Sequence, residues 1–269
     1  MRRPATLLAM VLLSLWLASG APVARTGQDL RLGETPTSDA RLGGLEWTFV
    51  RIRYSSEANR LEQFRRIYWS DPWAIDAPAA EQNLSRRMAR VTSIRVNDPI
   101  VLELSDDRIW EYPWLYFVEP SNIEFSETEV AILREFLLRG GTATFDDFHG
   151  PVEWDLVERQ LKRVFPDRAI VPLTPEHPVF SCFYELELYP QIPGLGSFLN
   201  GVTWEKGGYE PQLQGILDDD GRVMVLANFN TDMGDGWEWS NAAEYPSYVK
   251  YTSQSYRMII NEIVYALTH

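Results

Sequence analysis

The sequence predicts an α/β sandwich with a largely parallel central sheet. Three observations lead there. Trp114–Val118 is an unbroken apolar run, as expected of a strand covered on both faces. Ser126 to Gly141 reads as a capped amphipathic helix that runs directly into a second strand. A hairpin and one long amphipathic helix close the chain, so strands and helices alternate along its length.

The elements follow in order. Trp47 to Tyr54 is β-branched or aromatic at most positions and reads as a strand. Residues 80–91 read as a helix and Ile100–Leu104 as a short strand. Ser126 is the expected cap of the next helix, with Glu129 completing a capping box. Val130, Leu133, Phe136 and Leu137 form its apolar stripe. Gly140-Gly141 ends that helix, and Thr142–Phe145 follows as a strand terminating in Asp146-Asp147. Trp154, Val157, Leu161 and Val164 trace a second amphipathic helix, stopped by Pro166. Residues 166–212 are irregular. Leu213–Leu217 and Arg222–Phe229 pair around Asp219-Asp220-Gly221, and residues 246–267 form the last helix.

Ahead of these elements the chain reads as an export signal. Arg2 and Arg3 precede an apolar run from Ala5 to Leu17, and Ala18-Ser19-Gly20 supplies small residues for cleavage. The expected organisation is a signal peptide over residues 1–20, a flexible tether over 21–44 and one α/β domain over 45–269. The expected location is the periplasm or the exterior, with no transmembrane segment after the signal is removed. Taking Arg2 and Arg3 from the 25 basic residues, against 38 acidic ones, leaves the mature chain with 15 more acids than bases. That balance excludes nucleic acid as the main partner. Cys182 is the single cysteine, so no intramolecular disulfide forms.

In open α/β sheets ligands bind beyond the carboxyl ends of the strands. The residues there are Glu119 and Asn122, then Asp146, Asp147 and His149, then Asn228, Asn230 and Asp232. Neighbours on a strand face opposite ways, so one of Asp146 and Asp147 is expected to face a ligand while the other caps the helix at Pro151. A plain turn-and-cap pair is the competing reading. Asn230 to Trp239 packs Asp232, Asp235 and Glu238 beside two glycines and two tryptophans. Carboxylates beside tryptophan suit a hard cation or a sugar, although the spacing is not that of an EF-hand. An acidic surface loop anchored by Trp237 explains it equally. His177 precedes Pro178 in the irregular stretch. Three histidines form no zinc signature, and Phe180-Ser181-Cys182-Phe183 lacks the glycines of a nucleophile elbow. No motif requires a cofactor: neither a Walker nor a Rossmann fingerprint is present.

Several stretches together resemble one family. They are Phe49–Tyr54, Tyr112–Tyr116, Asn122–Ser126, Gly140 to Phe148, Val164–Pro166, His177–Phe180 and Asn230–Trp239. The chain is similar, over about residues 45–269, to the bacterial "domain of unknown function 4159" family. The resemblance implies a fold like the class I glutamine amidotransferases, a flavodoxin-like sandwich. Those enzymes carry a catalytic cysteine at a strand–helix elbow, where this chain has Asp146-Asp147. The resulting expectation is a non-catalytic ligand- or protein-binding module. Its crevice would be lined by Asp146, Asp147, His149, His177, Asn230, Asp232, Asp235 and Glu238. The expected partner is an envelope protein or a small-molecule or carbohydrate ligand. The alternatives are a metal-assisted or carboxylate-based hydrolase of a cell-envelope carbohydrate or peptide, and a purely structural role.

Overall fold

The computed structural model describes residues 39–269. The expected export signal and most of the expected tether lie outside the described residues. Packing is already established at Leu42, which is fully buried at the end of a 3₁₀ turn.

The first elements are β1 (Glu46–Trp47), β2 (Val50–Ile52), α1 (Ala58–Tyr68), α2 (Ala79–Val91), β3 (Arg95–Val96), β4 (Ile100–Leu102) and β5 (Trp114–Val118). Then come α3 (Glu127–Leu138), β6 (Thr142–Phe148), α4 (Gly150–Val164), β7 (Val171–Pro172), α5 (Leu195–Leu199), β8 (Gln212–Leu217), β9 (Val223–Phe229), α6 (Met233–Glu238) and α7 (Val249–Thr268). The strand expected over Trp47 to Tyr54 is divided. Trp47 pairs with Val96 but Val50 with Ile100, so the partner side carries one extra residue across the stretch holding Pro99. Proline has no N–H for the ladder, which resumes at Ile100.

The main sheet has the order β4-β2-β5-β6-β9-β8-β7. The first five strands are mutually parallel, and β8 and β7 are added antiparallel. Numbered along the chain, the parallel strands lie 2-1-3-4-5, the flavodoxin-like order, whose switch point falls between β2 and β5. The fold is therefore a flavodoxin-like α/β sandwich with a largely parallel sheet, a hairpin and a C-terminal helix.

Two apolar cores cover the sheet. Trp114, Tyr116 and Val118 of β5 face α2, α6 and α7, while Leu115 and Phe117 face α3 and α4. This is the period of two expected of a strand buried on both sides. The capping box of α3 forms as anticipated: Ser126 Oγ accepts from Glu129 N at 3.2 Å, and Ser126 N donates to Glu129 Oε2 at 2.8 Å. Among the described residues no helix is long and apolar enough to cross a membrane.

Candidate functional site

The carboxyl ends of β5, β6 and β9 converge on one cavity of about 520 Å³ beside the β2/β5 switch point. Seven carboxylates line it: Asp76, Glu119, Asp147, Glu205, Asp232, Asp235 and Glu238. The remaining lining residues include Tyr68, Trp239 and the Gly194–Ser197 segment that opens α5, and among the described residues no Lys, Arg or His joins them. A Cβ at Gly194 would fall 2.6 Å from Glu205 Oε1 and 3.1 Å from Asp232 Oδ2, so glycine lets the backbone approach the acids.

The backbone is bent to deliver these side chains. Asp76, Glu119 and Asp147 all have left-handed φ, at 64°, 48° and 63°. Such conformations cost of order 1–3 kcal/mol each in non-glycine residues and collect at functional sites. At Asp147 the bend resolves the parity question posed by Asp146-Asp147. Asp146 stays on the α6–α7 side of β6 and is fully buried. Its Oδ2 accepts from Tyr116 Oη at 2.7 Å and from Gly234 N at 3.0 Å, and its Oδ1 accepts from Met233 N at 3.2 Å. Asp147 turns into the cavity. Neither residue caps the helix at Pro151, contrary to expectation. Gly150 N donates instead to Asn230 Oδ1, and His149 N to Glu153 Oε2. Asp146 ties down the start of α6, because the peptide N–H groups there have no partner within the helix.

Asp76 reaches the cavity from the segment between β2 and α2. Arg51 of β2 is 1% exposed and grips Glu81 of α2 through two hydrogen bonds, at 3.1 and 2.8 Å. Its Nη1 donates to the carbonyls of Trp73 and Ile75, which fixes the loop that carries Asp76. Asp232 caps α6 by accepting from Asp235 N at 2.8 Å, and Asp235 accepts from Leu195 N at 2.5 Å and Trp239 Nε1 at 3.1 Å. One ligand atom each from Asp76, Asp235 and Glu238 lies within 4.8 Å of the other two. Among the described residues, Asp76 Oδ2 is buried and has no hydrogen-bond partner.

Charge repulsion governs the site. Burial, then Asp235, Asp147 and Glu238, push the Asp76 carboxyl well above its usual range. Burial and Asp147 do the same to Glu119; burial, Asp147 and Asp235 do so to Asp232. Asp235 and Glu238 are also raised, foremost by burial. Among the described residues two cations flank the site: Arg51, beneath the Asp76 loop and paired with Glu81, and Lys206, which lines a neighbouring pocket with Glu119 and pairs with Glu153 at 2.8 Å.

The structure brings Asp147, Asp232, Asp235 and Glu238 together and sets Asp146 directly behind them. His149 is fully buried, with Nε2 3.1 Å from Asp147 Oδ1 and Nδ1 without a partner among the described residues. Asn230 is a brace: Oδ1 accepts from Gly150 N and Nδ2 donates to Glu210 O. His177 lies elsewhere. It caps a 3₁₀ turn and packs 5.5 Å from the Tyr265 ring, whose hydroxyl accepts from Val223 N at the opposite end of β9. The irregular stretch around His177 gave no means of deciding which end of the sheet it joins. Cys182 is also remote: its Sγ donates to Asn261 O at 3.1 Å, and burial pushes the thiol up to about 12. Asp76, Glu205 and Arg51 are site residues that the sequence reading missed. The only local sign at Arg51 is a charge in the middle of an apolar strand.

A comparison with curated proteins finds no match. The sequence profile of the family described as Domain of unknown function (DUF4159) matches residues 48–267, a span that takes in every strand of the main sheet and every carboxylate of the cavity. The chain belongs to that family.

Proposed function

We propose that this chain is an exported, non-catalytic binding module whose acidic cavity holds a hard divalent cation and presents it to an envelope ligand. The observation that carries this is the Asp76–Asp235–Glu238 cluster with its unpartnered, buried Asp76 Oδ2. Three carboxylates this close repel one another, and a bound cation converts the repulsion into ligation. An all-oxygen donor set favours Ca²⁺, Mg²⁺ or Mn²⁺ over softer metals. The non-catalytic part of the reading rests on the resemblance to the class I glutamine amidotransferases, with Asp146-Asp147 where those enzymes place cysteine.

Calorimetric titration of the purified chain with CaCl₂, MgCl₂ and MnCl₂ tests the reading. Saturable uptake of at least one cation is expected, weakened about tenfold or more by Asp76→Asn or Glu238→Gln. A folded chain that takes up none of the three sinks it. Glu119 favours a second reading, a cation-assisted hydrolase. Its raised carboxyl faces the same cavity and would serve as a general acid. Turnover of a cell-wall glycan or peptide by the cation-loaded chain, lost in Glu119→Gln, would decide for the hydrolase.

A further inference from the structure

A second cleft, of about 480 Å³, lies on the same edge of the sheet. The Glu205–Glu210 segment runs between the two: Glu205 lines the acidic cavity, and Gly207 and Glu210 line the cleft. Its walls are the rings of Trp154, Tyr209 and Phe229 and the polar side chains of Glu210, Gln212 and Gln214.

The rings are held in place by their neighbours. Trp154 stacks on Phe148 at 6.2 Å and 19°, packs 4.8 Å from Phe229, and donates from Nε1 to Glu158 at 3.1 Å. Tyr209 rests against Trp204 at 4.6 Å yet keeps 63% of its surface exposed. The glutamines are oriented by each other: Gln214 Nε2 donates to Gln212 Oε1 at 2.7 Å. That leaves Gln212 Nε2 to donate and Gln214 Oε1 to accept, and Gln214 is only 8% exposed. Asn230 fixes the floor, tying the start of α4 to the Glu210 carbonyl.

The geometry points to a neutral saccharide as the occupant of this cleft. A sugar ring has an apolar C–H face, which an aromatic ring covers, and a rim of hydroxyls that both donate and accept. The Gln212–Gln214 pair matches two neighbouring hydroxyls with one donor and one acceptor, and the Glu210 carboxylate accepts from a third. An apolar occupant would leave the nearly buried Gln214 acceptor unsatisfied. Acidic glycans and phosphorylated ligands are disfavoured: among the described residues no Lys or Arg lines the cleft, and the chain carries a formal charge of −13.

The test is titration of the purified chain with a tetramer of N-acetylglucosamine and with a tetramer of β-1,4-linked glucose, followed by tryptophan fluorescence and calorimetry. Saturable binding of at least one tetramer is expected. Tyr209→Ala should weaken it about tenfold, since it removes one stacking face from an exposed position without touching the core. Gln212→Ala should weaken it too. Glu238→Gln, in the acidic cavity, should leave saccharide binding unchanged, which separates this site from the cation site. The proposal is overturned if the folded chain binds neither tetramer, if binding survives both cleft substitutions unchanged, or if the cleft takes a peptide and no saccharide.

Discussion

Glu262 lies in the middle of α7 with no exposed surface. Its Oε2 accepts from Thr144 Oγ1 at 3.0 Å, and Thr144 accepts in turn from Trp114 Nε1. Asn228 is the other polar neighbour of the Glu262 carboxyl. Burial, helped by Asp146, pushes the carboxyl up to about 8, against roughly 4.3 for a glutamate in an unfolded chain. The folded value is the higher one, so the folded state binds the extra proton. The stability this contributes is complete below about pH 4 and is lost as pH rises through about 8. Asp146, pushed up to about 7 by burial, acts in the same direction. The wild-type chain should therefore lose a few kcal/mol of stability between pH 5 and pH 8. Glu262→Gln keeps an oxygen for Thr144 but cannot ionise, so its loss over that range should be smaller. Urea unfolding at intervals across the range measures both slopes, and equal slopes would show that Glu262 does not titrate there.

At the scale of single elements, α6 was the least legible part of the chain. Met233–Glu238 contains two glycines, which weaken a helix by about 1 kcal/mol each, and the acids read as a loop. The helix exists because distant groups complete it. Asp146 of β6 holds Met233 N and Gly234 N, Asn83 of α2 donates to Trp237 O, and Ser255 of α7 donates to Met233 O. No sequence window contains those partners. Helix α1 carries Leu61, Phe64 and Tyr68 at helical spacing, but the stripe is short and only Phe64 of it is buried, so it is a weak signal. Helix α3 and strand β5 were legible because their signals, a capping box and an unbroken apolar run, are local. The same division separates Asp147 and Asp232, which strand ends announce, from Asp76, which only the Arg51–Glu81 clamp delivers. The glycines of α6 have a packing reason. A Cβ at Gly236 would fall 2.5 Å from Ser255 Cβ, so Gly236→Ala should destabilise by roughly 1–3 kcal/mol. Gly196 in α5 meets nothing within 4 Å, and Gly196→Ala should be neutral or stabilising by up to about 1 kcal/mol. Paired thermal melts compare the two, and equal effects would mean that α6 is not pressed against α7.

At the scale of the whole molecule, electrostatics and stability are coupled through the acidic cavity. The chain carries a formal charge of −13, and seven carboxylates share about 520 Å³. Monovalent salt screens charges on the surface but acts weakly on groups held inside the fold. NaCl should therefore raise the melting temperature of the cation-free chain only modestly. CaCl₂ at matched ionic strength should raise it further, because an ion that binds only the folded state stabilises by mass action. At a hundredfold excess over the dissociation constant that amounts to about 2.7 kcal/mol, or roughly 5–10 °C for a domain of this size. Asp76→Asn should remove the additional rise while keeping the NaCl response. It should also melt higher than the wild type when both are cation-free at neutral pH, because the amide cannot ionise, whereas burial, Asp235, Asp147 and Glu238 make ionising Asp76 unfavourable. A melt series in NaCl and CaCl₂ at matched ionic strength reads all three effects. If the two salts give one curve for the wild type, the carboxylates act only as a diffuse charge. If the wild type alone separates the curves, the stability of the fold depends on the occupancy of a specific cation site.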